Sequence, residues 1–293
     1  MKFITYKYQE TENVGVLMEN KVVPLEGLGF PVKSMLELIE TATDDMVNKI
    51  ENIISTGNFA YLPFNLIKLL PPIPYPKRNV FCLGKNYADH AREIKITQIS
   101  DTGIPERPIY FTKVASPAIG SGDLIKFSRQ TTSQVDYEVE LAVVIGRDGI
   151  NIRPEEAQEY IFGYTIVNDV SARDLQADHK QWFKGKSLDT FCPMGPCIVH
   201  KNYIQSPMEL NIKCTINGEV RQNSNTSNMI FDIPYIISDL SRGMTLIAGD
   251  IICTGTPSGV GMGFNPPKLL NDGDIVDCYI ENIGTLTNIV AVN

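Results

Sequence analysis

Val135-Asp136-Tyr137-Glu138-Val139-Glu140-Leu141-Ala142-Val143-Val144-Ile145-Gly146 is the stretch on which the fold and chemistry of this chain turn. Its apolar, β-branched texture predicts a strand, along which side chains alternate between two faces. Glu138 and Glu140 then share one side, and Val139, Leu141, Val143 and Ile145 occupy the other. Two carboxylates on one face repel, and each favours protonation unless a cation lies between them. The pair by itself leaves two readings open, a solvated sheet face or half of a metal site.

Working outward, the apolar run Tyr164-Thr165-Ile166-Val167-Asn168 ends on a third acid, Asp169, and Lys186 follows in Phe183-Lys184-Gly185-Lys186-Ser187. Three carboxylates with no cysteine or histidine among them make an oxygen donor set suited to Mg²⁺ or Mn²⁺, with Ca²⁺ also compatible. Three carboxylates against a divalent ion leave one excess negative charge, which Lys186 can neutralise. Downstream, the segment from Thr254 through Gly255, Thr256, Pro257, Ser258, Gly259 and Gly261 to Gly263 follows a strand. Its backbone N–H groups can cradle a carboxylate or phosphate. It lacks the P-loop lysine and the spacing of a dinucleotide fingerprint. His90 and Glu93, three apart in Asn86-Tyr87-Ala88-Asp89-His90-Ala91-Arg92-Glu93, share a face if that segment is helical, as an oriented general base requires. A surface pair is the competing reading. His179, His200 and Trp182 read as packing or exposed residues.

The 293 residues carry a net charge of −8, which argues against a nucleic-acid or anionic-membrane partner. The first residues resemble neither a signal nor a transit segment, and no apolar run approaches the roughly 18 residues of a spanning helix, so a cytoplasmic protein is expected. Six scattered cysteines with no C-x-x-C pair read as buried thiols. The fold class expected is α+β, mainly β. Short strands up to Leu25 and one helix over Met35–Ile54 form a first piece, and Pro71-Pro72-Ile73-Pro74-Tyr75-Pro76 is a stiff connector. This places a small N-terminal α/β domain at 1–72 and a larger, mostly β domain at 73–293. Helices are also expected over Asp89–Ile96, Pro154–Ile161 and Met229–Ser241.

Cys82-Leu83-Gly84-Lys85-Asn86-Tyr87-Ala88-Asp89-His90, Asp136-Tyr137-Glu138-Val139-Glu140-Leu141, Asn168-Asp169-Val170-Ser171-Ala172-Arg173-Asp174-Leu175-Gln176 and Thr254-Gly255-Thr256-Pro257 together, and in this order, resemble the fumarylacetoacetate hydrolase family. The likeness runs from about Asn79 to the C-terminus. It implies a mixed β-roll catalytic domain behind a small N-terminal domain, a homodimer, and a Mg²⁺, Mn²⁺ or Ca²⁺ ion on Glu138, Glu140 and Asp169. By the same resemblance Lys186 contacts substrate oxygen, Arg173, Gln176 and Thr256 line the substrate region, and His90 with Glu93 matches the dyad of the acylpyruvase-like branch, carried on a lid. The function it implies is a metal-dependent hydrolase that cleaves a C–C bond in a 2,4-diketo acid, an acylpyruvate or fumarylpyruvate of the kind met in aromatic catabolism. His90 would activate the attacking water, and pyruvate and a carboxylic acid would be released. Oxaloacetate decarboxylation, or isomerisation or tautomerisation of an oxo-diacid, would use the same enolate-stabilising floor. Thr97–Pro108 and Gln222–Asn228 are expected to shape the pocket for the variable group.

Overall fold

The computed structural model describes residues 1–93, 104–115, 117–205 and 208–293. An 11-stranded sheet dominates it, mixed in direction, with a second sheet of five strands packed across one face. The mainly β expectation holds. Strand Val139–Ile145 lies deep in the large sheet, between Ile161–Asn168 and Ile251–Cys253, and every residue in it is buried. Val139, Leu141, Val143 and Ile145 pack toward Ile212, Cys214, Val276, Cys278 and Leu286 in one core. Ala142 and Val144 face a second core with Phe3, Leu38, Ile39 and Ile198. A strand buried on both faces has no solvated side, so the surface reading of Glu138 and Glu140 falls.

The strand is also shorter than its sequence predicts. Regular pairing stops at Val135–Asp136 and resumes at Val139, leaving Tyr137 and Glu138 between the two pieces. The Asn168 Oδ1 accepts from the Glu138 N–H at 3.0 Å, and the Glu138 carbonyl accepts from the Asp169 N–H at 2.8 Å. These bonds replace ladder pairing where the strand opens toward the site.

The helix expected over Met35–Ile54 is two helices, Met35–Thr41 and Asp44–Ser55. Ala42 is extended, and the Thr43 hydroxyl accepts from the Met46 N–H at 3.1 Å, which caps a new helix start. Pro154–Glu156 is a 3₁₀ turn and Ala157–Tyr160 a single helical turn before strand Ile161–Asn168. The helix expected over Met229–Ser241 is Ile233–Leu240, capped by Asp232. Of the Asp89–Ile96 helix, Ala88–Glu93 is helical and the rest lies outside the described residues. Strand Lys2–Tyr8 pairs with Met194–His200, so the first 72 residues and the larger part share one sheet. The six cysteines are buried free thiols. No helix among the described residues is long and apolar enough to cross a membrane.

His200 sits edge-on to Phe162 and Phe3, with ring centroids 5.4 and 6.4 Å away, and burial followed by the Lys201 charge pulls its pKa from 6.5 to about 4. A histidine depressed in this way contributes stability that is complete above its unfolded value and is lost as pH falls through 6.5 toward 4. The shift corresponds to about 3 kcal/mol. Urea unfolding at pH 7 and pH 4 should show this loss in the wild type and much less of it in His200→Gln.

Candidate active site

One end of the large sheet opens into a cavity of about 330 Å³. Its lining includes His90, Glu138, Glu140, Arg173, Gln176, Lys186 and Thr256, residues drawn from segments up to 166 positions apart in sequence. Asp169 lies on its floor, and one carboxylate oxygen from each of Glu138, Glu140 and Asp169 falls within 4.8 Å of the others. The three expected metal ligands are therefore brought together, along with the expected dyad and substrate residues.

The floor is a buried charge network. Lys186 sits on a short helix Phe183–Lys186 and is almost wholly buried. Its Nζ donates to Glu138 Oε2 at 2.7 Å and to Asp169 Oδ2 at 2.6 Å. Arg173 reaches Glu138 Oε1 at 2.7 Å and donates through Nε to Asp136 at 2.9 Å. Lys113, fully buried, donates to Asp169 Oδ1 and to the Phe191 carbonyl, the latter at 2.6 Å. Burial works against the charged form of Glu138, but Lys186, Arg173 and His90 overcome it and hold the carboxyl down to about 2. Burial also works against the Lys113 ammonium, and Asp169 reverses that, so its pKa is raised.

Glu140 is the exception. It forms no ion pair among the described residues and accepts only the Gly255 N–H, at 2.8 Å. Burial, Asp169 and Glu138 raise its pKa well above the ordinary carboxylate value. Four buried acids (Asp136, Glu138, Glu140, Asp169) thus face three buried cations, with the deficit located at Glu140. All-oxygen donors short of one positive charge fit a hard divalent cation. A raised pKa at Glu140 favours its protonated form, and protons then compete with loading, so divalent-cation affinity should fall as pH is lowered. Calorimetry in buffers of differing ionisation enthalpy should detect proton release with wild type, and Glu140→Gln should lose it together with most of the affinity.

The glycine-rich segment does cradle carboxylates, and they are the protein's own. Gly255 donates to Glu140, Gly259 to Glu93 at 3.0 and 3.2 Å, and Gly261 and Met262 to Asp136 at 2.6 and 3.0 Å. A Cβ on Gly263 would stand 2.1 Å from Glu93 Oε1, so a side chain there would push the Glu93 carboxylate from its present position. Glu93 in turn lies 3.3 Å from His90 Nδ1, which directs the other ring nitrogen away from the carboxylate. His90 is 5% exposed, which removes the surface-pair reading.

The Thr256 hydroxyl donates to the Val139 carbonyl at 2.8 Å and accepts from Gln222 Nε2 at 2.7 Å. Its proton is therefore committed to the scaffold. Gln222 is fully buried and also holds the Pro257 carbonyl and the Val139 N–H. It braces the floor, and no residue of Gln222–Asn228 lines the cavity, against expectation. Much of Thr97–Pro108 lies outside the described residues. Trp182 packs edge-on against Phe111 at 5.2 Å and closes over Gly84, forming an aromatic wall of the cavity as well as packing.

Lys113, Asp136, Lys85, Lys180 and Phe111 were not singled out by sequence reasoning. Lys113 ends an ordinary strand, Ile109–Lys113, and only the tertiary fold places it under Asp169. Asp136 had a legible signal, since it stands two residues before Glu138 in the same acidic run.

Known proteins resemble this chain closely enough to fix its lineage. The chain is 56% identical over 232 residues to a Bacillus subtilis protein named oxaloacetate tautomerase YisK, covering 79% of this chain and 75% of that one. It is 40% identical over 262 residues to a Xenopus laevis protein named oxaloacetate tautomerase fahd2, mitochondrial, covering 88% and 77%. A fumarylacetoacetate hydrolase structure from Exiguobacterium antarcticum superposes with a TM-score of 0.85 at 40% identity, over the whole of both chains. A Sphingobium structure titled maleylpyruvate hydrolase in complex with manganese (II) ion and pyruvate gives 0.80 at 26% identity, again over the whole of both chains. With the family model described as fumarylacetoacetate (FAA) hydrolase C-terminal matching residues 79–291, the chain belongs to the fumarylacetoacetate hydrolase family.

Proposed function

We propose that the chain is an enzyme that interconverts the enol and keto forms of a short 2-oxo dicarboxylic acid of the oxaloacetate type. The observation that carries this reading is His90, the one imidazole lining the cavity among the described residues, set beside a floor rich in cations. Tautomerisation needs one acid–base group and stabilisation of an enolate, and the cavity combines both. In the enol-to-keto direction the C2 hydroxyl loses its proton to water, the C2–C3 π electrons take up a proton to form a new C3–H bond, and C2=O is made. His90 delivers or removes the C3 proton, and Glu93 holds the ring in the orientation this requires. Lys186 and Arg173 lie where they can balance negative charge on the enolate oxygen. A Mg²⁺ or Mn²⁺ ion held by Glu138, Glu140 and Asp169 would supply Lewis-acid stabilisation of that same charge.

The two relatives named as oxaloacetate tautomerases support this reading over the hydrolytic one expected from the sequence. Hydrolysis of an acylpyruvate or fumarylpyruvate is the second reading, favoured by the likeness to the maleylpyruvate hydrolase structure. The proposal keeps 73–293 as the catalytic domain, since every lining residue falls there, with a homodimeric, cytoplasmic enzyme. Purified protein with Mn²⁺ should be assayed on freshly dissolved enol-oxaloacetate, oxaloacetate and acetylpyruvate, following enol absorbance and pyruvate together. Accelerated enol loss without pyruvate is the expected result. Pyruvate from oxaloacetate would assign a decarboxylase, and cleavage of acetylpyruvate a hydrolase.

A further inference from the structure

Trp182, the chain's single tryptophan, stands just before the short helix Phe183–Lys186, and its carbonyl accepts from the Lys186 N–H at 3.1 Å. The indole is half-buried and packs into neither apolar core. It rests instead on Gly84 and Phe111, which belong to the paired strands Val80–Gly84 and Ile109–Lys113. Phe111 lies opposite Cys82, and Cys82 and Gly84 share a face by strand alternation, so Phe111 and the bare Gly84 backbone form one seat. A Cβ on Gly84 would stand 2.2 Å from Trp182 Cζ3 and 2.6 Å from Cη2, so a side chain there would push the indole away. Phe111 meets the indole edge-on with centroids 5.2 Å apart, and its own centroid lies 5.3 Å from Lys186 Nζ. The aromatic wall therefore begins at the floor, one ring away from the cation that holds Glu138 and Asp169. Leu83 and Met262 add further apolar lining. At about 330 Å³ the cavity lies at the small end of ligand pockets. A rigid indole seated on backbone yields far less to an incoming group than a flexible methionine does.

We propose that Trp182 sets the upper size of the group carried beyond C3 of the substrate, so that the site takes short 2-oxo acids and refuses long-chain ones. The inference rests on the 2-oxo acid reading above. Trp182 is a specificity residue here and takes no part in proton transfer or metal binding. The floor and His90 handle the reacting atoms, and the indole bounds the space left for the rest of the molecule.

The test uses N-alkyl oxamates, in which nitrogen stands at the C3 position and the alkyl group extends beyond it, with oxalate as a probe of the floor alone. Calorimetry measures binding of oxalate and of N-methyl, N-propyl and N-hexyl oxamate to wild type, Trp182→Ala and Trp182→Phe, each with Mn²⁺. Beside it, kcat/KM is measured for oxaloacetate and for its 4-methyl and 4-hexyl esters. In wild type the hexyl oxamate should bind about tenfold more weakly than the methyl one. Trp182→Ala should bind the hexyl ligand about tenfold more tightly than wild type does, because the added methylenes then find a dry place, with Trp182→Phe in between. The hexyl-to-methyl ratio of kcat/KM should rise in parallel. Oxalate affinity should change less than about twofold, which checks that the fold and floor are intact. If neither oxaloacetate nor its esters are turned over but the oxamate series shifts in this way, the size filter stands and the proposed reaction falls. If oxaloacetate is turned over and Trp182→Ala keeps the chain-length dependence of wild type, the reaction stands and the filter is overturned. Equal weakening of oxalate and every oxamate would also overturn it, since the indole would then only support the floor.

Discussion

Lys113→Met should destabilise the metal-free protein by about 3–5 kcal/mol, the usual consequence of removing one partner from a buried ion pair. Lys113 has no exposure, and it holds Asp169 Oδ1, the Phe191 carbonyl and, at 3.4 Å, the Val170 carbonyl. Methionine fills a similar volume but supplies no donor, so a carboxylate oxygen and two carbonyls lose this donor in a dry interior. Lys186 still reaches Asp169 Oδ2, but it also serves Glu138 and cannot span both Asp169 oxygens. Chemical denaturation with and without Mn²⁺ is the measurement. A loss below about 1 kcal/mol would show that Lys186 alone satisfies Asp169. Lys113→Met combined with Asp169→Asn should recover part of the loss, because the neutral amide carries no uncompensated charge.

His90→Ala should lower turnover by roughly 10²- to 10⁴-fold, the range for a positioned acid–base group. Its fold and Mn²⁺ affinity should persist, because the imidazole is neither a floor ligand nor part of either apolar core. Glu93→Gln should cause a smaller loss, since Glu93 acts on the substrate only through His90. The Glu93 carboxylate also accepts the Gly259 N–H through both oxygens, and an amide offers fewer acceptor sites to that donor. Steady-state kinetics beside calorimetric Mn²⁺ binding separates these roles. Unchanged turnover in His90→Ala would remove the dyad from the mechanism and leave the cationic floor to act by electrostatics alone.

These two variants mark different limits of what a sequence discloses. His90 and Glu93 are three residues apart on one helical turn, so their meeting is a local property of the chain. Glu138 and Glu140 obey the strand period, and their shared face follows from local geometry too. Asp169 was visible as an acid ending an apolar strand. Lys113 gave no such sign, because nothing within Ile109–Lys113 separates a strand-ending lysine in solvent from one buried under a carboxylate.

The sequence by itself thus pointed to the class of fold, to a three-acid oxygen donor set and to a shared face for His90 and Glu93, since strand alternation, helical spacing and residue chemistry act over a few positions; the dyad role came only from the family resemblance. Only the tertiary structure decided that the central strand is buried on both faces, and so that its carboxylates need cations. It also decided that the glycine-rich segment holds Glu93, Glu140 and Asp136 in place of a ligand, and that Gly84, Phe111 and Trp182 meet at one cavity. The physical reason is range: charge in a low-dielectric interior is set by whatever the fold brings within a few ångströms, and those partners are distant in the chain.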